Sequence, residues 1–163
     1  MIDAYIGLGS NMGDRLENLA AALRAIADLP DTELVGVSQA YESEPWGVED
    51  QPPFINSCLV VDTVLAPHAL LDLARKVERL LGRNRAQERR WGPRTLDIDL
   101  IAYDDEVIDE PDLQLPHPRL FERAFVLMPL SEIVPDRMIG GITVRDALAR
   151  VDTRGIVRLP MRG

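Results

Sequence analysis

An α+β sandwich built on an antiparallel sheet is the fold class predicted for these 163 residues, and three observations predict it. Several short segments alternate apolar and polar residues, two longer segments repeat apolar residues at helical spacing, and the two patterns follow one another as β-α-β-β-α-β. Composition agrees with a folded chain: 46% of residues are hydrophobic and 28% charged. A chain of this length buries about two-thirds of the surface that its unfolded form exposes, without help from disulfides or metals.

Taken in order, residues 3–10 (DAYIGLGS) read as a first strand ending in a glycine-bearing turn. Leu16, Leu19, Leu23 and Ile26 recur at helical spacing between Gly13 and Pro30, which makes a first amphipathic helix. Residues 33–41 and 54–64 read as strands on either side of the loop SEPWGVEDQPP. A second helix follows, with Pro67 in its first turn, an apolar stripe of Leu70, Leu71, Ala74, Val77 and Leu81, and Gly82 as its C-terminal cap. Residues 95–103 form the next strand. This order belongs to a ferredoxin-like sandwich with both helices on one face of the sheet. The C-terminal additions should supply short strands and helices near 121–133 and 144–151. One domain is expected over 1–163, since no repeat or linker divides the chain.

Charge and cysteine content narrow the function classes. Cys58 is the only cysteine, so no disulfide can form within the chain, and its setting INSCLVV suits a buried small residue. No basic leader segment opens the sequence and no apolar run nears the roughly 20 residues needed to span a bilayer, so a cytoplasmic protein with no membrane partner is expected. A net charge of -9 argues against a general nucleic-acid binder. Yet eight basic residues stand against two acidic ones between Arg75 and Arg94, a local charge of +6 that leaves -15 elsewhere. Such an island suits a compact polyanion better than a long one.

Directly after the island the sign reverses. In the strand over 95–103, Leu96, Ile98, Leu100 and Ala102 alternate with Thr95, Asp97, Asp99 and Ile101. Both aspartates then project from one face, with Cα atoms roughly 6.5 Å apart. Carboxylates that close repel unless a cation lies between them, and hard oxygen donors suit Mg²⁺ better than Zn²⁺. Mg²⁺ usually completes its shell with substrate phosphates, and Arg83, Arg85, Arg89, Arg90 and Arg94 can grip phosphate oxygens from the other side. No phosphate-binding loop motif exists, and Lys76 is the only lysine. GLGSNMG is read as a turn. Trp46, Phe54 and Asn56 cluster around the second loop, where an amide among rings can read the edge of a planar heterocycle. His117 lies between Pro116 and Pro118, which stiffen its backbone, and can offer a proton or hydrogen bond to a phosphate.

RWGPRTLDIDL and LPHPRLFERAFVLMPL, preceded by YIGLGSN and QPPFIN, resemble the 6-hydroxymethyl-7,8-dihydropterin pyrophosphokinases over most of the chain. The resemblance implies transfer of pyrophosphate from ATP to a dihydropterin on a ferredoxin-like fold. It implies that Asp97 and Asp99 hold two Mg²⁺ ions and that Arg83 and Arg94 take part in catalysis. It assigns Glu78, Arg83, Arg90, Trp91, Arg94, His117 and Arg123 to ATP, and Ser43, Trp46, Phe54, Asn56, Trp91, Arg123 and Phe125 to the pterin. A monomer with ATP and a dihydropterin as its small-molecule partners is expected. Tyrosine often stands in that family where this chain has Phe54. Two other classes are consistent with paired aspartates on this fold: a nucleotidyltransferase, which would need a nucleic acid or second nucleotide, and a non-catalytic small-molecule module.

Overall fold

The computed structural model describes residues 1–43, 52–81 and 96–159. Strand β1 (Ile2–Ser10) leads into helix α1 (Arg15–Ala27), where the Asp14 carboxylate accepts the Glu17 N–H at 3.2 Å and so satisfies one of the unpaired donors of the first turn. The segment expected as one strand over 33–41 forms two, β2 (Thr32–Val37) and β3 (Ala40–Ser43). Ser38 makes the break: its hydroxyl accepts the Cys58 N–H at 2.9 Å, so a side chain takes a position in the ladder that a carbonyl would otherwise hold. Both pieces lie along one side of the long strand β4 (Phe54–Thr63), and β1 pairs antiparallel with its other side.

Helix α2 (Pro67–Leu80) opens with its proline at the first helical position, where a missing N–H leaves nothing unpaired, and its cap residue is Leu81. The glycine cap expected at Gly82 lies outside the described residues. Strand β5 (Asp97–Tyr103) then pairs antiparallel with β1 and forms one edge of the sheet. The hairpin of β6 (Ile108–Glu110) and β7 (Leu113–Leu115) follows, then a single 3-10 turn at Leu120–Glu122 and helix α3 (Ala124–Ile133). The second hairpin, β8 (Met138–Ile139) and β9 (Ile142–Thr143), turns on Gly140 and Gly141, whose φ values of 60° and 84° suit glycine. Helix α4 (Val144–Ala149) and β10 (Val157–Leu159) complete the chain, and β10 joins the sheet beside β3. The strand order is β10-β3-β4-β1-β5, with β2 also on β4: a ferredoxin-like sheet extended by one C-terminal strand.

Two apolar layers enclose that sheet. Ala4, Ile6, Leu8, Leu59 and Ile98 pack on one face against Leu19 and Ile26 of α1 and Leu70 and Val77 of α2. Tyr5, Cys58, Val60 and Ile101 pack on the other against Leu127 and Leu130 of α3 and Val144 and Ala147 of α4. Each fully buried leucine contributes about 1.5–3 kcal/mol. The strict alternation expected along β5 ends at a bulge: Ile6 pairs with Leu100 and Tyr5 with Ala102, so Ile101 is the extra residue. Ala102 consequently joins Ile101 under the α3–α4 layer, away from Ile98 and Leu100.

Candidate active site

The α3–α4 layer covers only part of its face of the sheet, and the uncovered part is a cleft. Its floor is built from cross-strand rows. Gly9 of β1 stands between Asn56 of β4 and Asp97 of β5, and Gly7 stands between Cys58 and Asp99. With no side chain on the middle strand, bare backbone separates the amide from the carboxylates. The glycine matters most at position 9, where an added Cβ would lie 2.8 Å from the Asn56 Oδ1. Sequence reasoning read these glycines as part of a turn; in the structure Gly7 and Gly9 lie within β1, and the turn is made by Gly13 at φ 67°.

Phe54 and Ser43, paired across β4 and β3, continue the wall. The start of β4 is pinned from the α1 side, for Asn11 Nδ2 donates to the Pro52 carbonyl at 3.0 Å and Arg15 Nη1 to the Pro53 carbonyl at 2.8 Å. These two anchors were missed because nothing local to their sequence marks them. His117, Leu120, Arg123, Phe125 and Val126 form the opposite wall, and the empty space out to the open mouth is about 830 Å³. Arg123 stands with Nη1 at 3.9 Å from Asp99 Oδ2 and with its guanidinium carbon 5.6 Å from the centre of the Phe125 ring. Asn56 is buried, and its Nδ2 has no hydrogen-bond partner among the described residues. An amide donor left so costs about 1–3 kcal/mol. Cys58 is buried as expected, donates weakly to the Val126 carbonyl at 3.5 Å, and burial pushes its thiol pKa up.

His117 is held by its own chain. Its backbone N–H donates to the Ile101 carbonyl at 2.7 Å, and its Nδ1 accepts the Arg119 N–H at 3.2 Å. Nδ1 is therefore the acceptor nitrogen, and the neutral ring carries its proton on Nε2. Burial lowers the pKa from 6.5 to about 4; Arg123 and Arg119 add to the shift and Asp97 partly offsets it.

A second, more polar cleft lies around β5, lined by Leu71 and Arg75 of α2, Ile98 and Leu100 of β5, and the Pro111–Gln114 segment of the β6–β7 hairpin. Asp99 and His117 line both clefts, so the two meet there. Arg75 and Gln114 were not singled out from sequence, because only the fold brings α2 and the hairpin together.

Of the residues expected in the site, Ser43, Phe54, Asn56, Asp97, Asp99, His117, Arg123 and Phe125 line the first cleft. Glu78 does not line either cleft among the described residues. It is 1% exposed and accepts the Ile98 N–H at 2.8 Å, so its carboxylate is used inside the protein. Trp46, Arg83, Arg90, Trp91 and Arg94, like Arg89, lie outside the described residues.

Residues 5–135 match the protein family described as 7,8-dihydro-6-hydroxymethylpterin-pyrophosphokinase (HPPK). The chain is 49% identical over 159 residues to the 2-amino-4-hydroxy-6-hydroxymethyldihydropteridine pyrophosphokinase of Methylorubrum extorquens, covering 98% of this chain and 99% of that relative. It is 44% identical to the protein of the same name from Pseudomonas aeruginosa, over 96% of each chain. Among solved structures, wild-type Plasmodium falciparum HPPK-DHPS with pteroate superposes with a TM-score of 0.73 at 13% identity, which speaks to the fold alone. The match covers 91% of this chain, which spans 44% of that longer one.

Proposed function

The chain belongs to the 7,8-dihydro-6-hydroxymethylpterin-pyrophosphokinase family, and from that premise we propose that its two joined clefts hold the two substrates of one pyrophosphoryl transfer. The chain transfers pyrophosphate from ATP to 6-hydroxymethyl-7,8-dihydropterin, giving AMP and the pterin diphosphate, a step of folate biosynthesis.

The pterin ring lies over the bare backbone of Gly7 and Gly9, between the rings of Phe54 and Phe125, with Asn56 reading its donor and acceptor edge. The buried, partnerless Asn56 Nδ2 supports this, since a heterocycle acceptor satisfies it. ATP takes the second cleft, its base against Leu71, Ile98 and Leu100. Its phosphates run toward His117 and Arg123. We also assign Arg83, Arg90 and Arg94 to the phosphates, and Trp46 and Trp91 to the pterin. The hydroxymethyl oxygen attacks the β-phosphorus, the bond from that phosphorus to the oxygen bridging the α-phosphate breaks, and AMP leaves with the electron pair.

Asp97 and Asp99 form an oxygen donor pair suited to Mg²⁺, and we assign them two ions. When bound, Mg²⁺ makes the pterin hydroxyl more acidic and neutralises charge on the phosphates. Asp97 and Asp99 orient the hydroxyl toward the β-phosphorus, Arg123 holds Asp99 and offers positive charge, and neutral His117 donates from Nε2 to a phosphate oxygen without competing for protons near pH 7. A nucleotidyltransferase would have no use for Asn56 and the paired phenylalanines. We further propose a single domain over 1–163, acting as a cytoplasmic monomer. Its support is that one sheet takes strands from Ile2 to Leu159, that the lone cysteine is buried, and that no described helix is long and apolar enough to cross a membrane.

The observation that carries the assignment is the shared lining of the two clefts by Asp99 and His117. Calorimetry with a non-hydrolysable ATP analogue tests it: adding Mg²⁺ should strengthen nucleotide binding and the pterin should then bind to the complex. Pterin binding that excludes the nucleotide would refute adjoining sites.

A further inference from the structure

The two aspartates occupy the first and third positions of β5, where a strand frays most readily, and β5 is an edge of the sheet. On its inner side β1 holds it through the pairs Asp97–Gly9, Ile98–Leu8 and Asp99–Gly7. On its outer side no described strand receives the Ile98 N–H. That N–H belongs to the peptide joining Asp97 to Ile98, so its direction sets how the Asp97 carboxylate leaves the strand and steadies the backbone that carries Asp99 one residue further on. Glu78 of α2 receives it, Oε2 accepting at 2.8 Å, and the side chain is 1% exposed. Burying a carboxylate costs several kcal/mol, and a neutral amide could accept the same hydrogen bond. The charge has a second use: Oε1 stands 3.6 Å from Nη1 of Arg75, one helical turn earlier, and Arg75 lines the polar cleft.

We infer that Glu78 is a positioning residue that keys the metal-binding end of β5 to the nucleotide wall of α2, setting the direction of Asp97 and Asp99 without touching substrate. The inference rests on the reading of Asp97 and Asp99 as Mg²⁺ ligands. It differs from the resemblance to the family, which assigns Glu78 to ATP directly. Glu78 acts through the main chain of Ile98 on the metal ligands, and through Arg75 on the nucleotide.

Mn²⁺ is the probe, titrated by electron paramagnetic resonance in the presence of α,β-methylene ATP, with each variant's melting temperature measured without metal. Asp97→Ala is the control, and it should abolish tight Mn²⁺ binding. Glu78→Leu removes the acceptor at similar volume and should weaken Mn²⁺ about 10- to 100-fold, the usual effect of losing a partner that orients metal ligands. Glu78→Gln keeps an acceptor and should recover most of that loss. Arg75→Ala should raise the KM for ATP, which separates the nucleotide side of the contact from its metal side. If Glu78→Leu does not fold, Glu78→Asp carries the test, since its shorter side chain draws the acceptor away from Ile98 and should weaken Mn²⁺ by about 10-fold. Wild-type Mn²⁺ affinity in the folded Glu78 variant that lacks the contact would overturn the inference. So would a loss of metal-free analogue binding in Glu78→Leu larger than that in Arg75→Ala, which would mean direct contact with the nucleotide. Undiminished Mn²⁺ binding in Asp97→Ala would instead overturn the metal-ligand reading itself.

Discussion

Asn56, which is buried, and His117, which is half-buried in the cleft wall, are polar groups that packing alone does not explain. An asparagine amide 8% exposed, with Nδ2 lacking a partner among the described residues, destabilises the free protein and rewards a ligand that offers an acceptor. Asn56→Ala should therefore weaken pterin binding by about 10-fold or more, equivalent to about 1.4 kcal/mol, while leaving Mg²⁺-ATP binding nearly unchanged. Calorimetry with each substrate separately decides it; equal losses for both would make Asn56 a general structural amide. His117 carries a different signature. Its folded pKa of about 4 lies below the ordinary 6.5, so between those values the unfolded chain takes up a proton that the folded chain refuses. Its contribution to stability is complete above pH 6.5 and is lost as pH falls through that window. Denaturation midpoints measured from pH 7 to pH 4.5 should fall more steeply for the wild type than for His117→Gln. Parallel curves would mean that the ring takes up its proton as readily in the folded chain as in the unfolded one.

At the level of elements, the glycines of β1 and β2 separate fold from function. A Cβ at Gly9 would meet the far end of the Asn56 side chain at 2.8 Å, and that end can swing aside. Gly9→Ala should cost little stability but displace the amide, lowering kcat/KM by roughly 10- to 100-fold, as misplaced recognition groups do. A Cβ at Gly36 would meet Ile133 Cγ2 at 2.7 Å, a branched methyl close to the α3 backbone that cannot retreat. Gly36→Ala should destabilise by about 1–3 kcal/mol while the folded enzyme keeps its activity. Thermal melts and steady-state kinetics on the pair should give this crossed pattern; loss of stability in Gly9→Ala without loss of pterin binding would contradict it. Such distinctions were not legible in the sequence. Alternation along β5 put Asp97 and Asp99 on one face, and local helical spacing marked α1 and α2, because both patterns are properties of neighbouring residues. The Ser38 break, the Ile101 bulge and the Glu78 anchor each depend on a partner about 20 residues or more away in the chain or on an adjacent strand.

Across the whole molecule, activity depends on a division between the two layers. The α1–α2 layer carries much of the core, and α2 contributes Arg75 and Leu71 to the more polar cleft. The α3–α4 layer covers the opposite face but leaves the Gly7–Gly9 end open, and the first turn of α3 brings Phe125 and Val126 to that opening. A ferredoxin-like sheet alone would leave these two aspartates on a bare surface; the C-terminal additions turn that surface into a cleft. Asp99, on the acidic side of the abrupt charge change in the sequence, thus lies where the two clefts meet. The most direct test is to follow turnover of ATP and 6-hydroxymethyl-7,8-dihydropterin with Mg²⁺ by phosphorus NMR, in the wild type and in Asp97→Ala and Asp99→Ala. The wild type should yield AMP and a pterin bearing a diphosphate in equal amounts, with no ADP, and each variant should lose turnover by about 100-fold or more while remaining folded. Formation of ADP with a singly phosphorylated pterin, or undiminished diphosphate formation in either variant, would contradict the account.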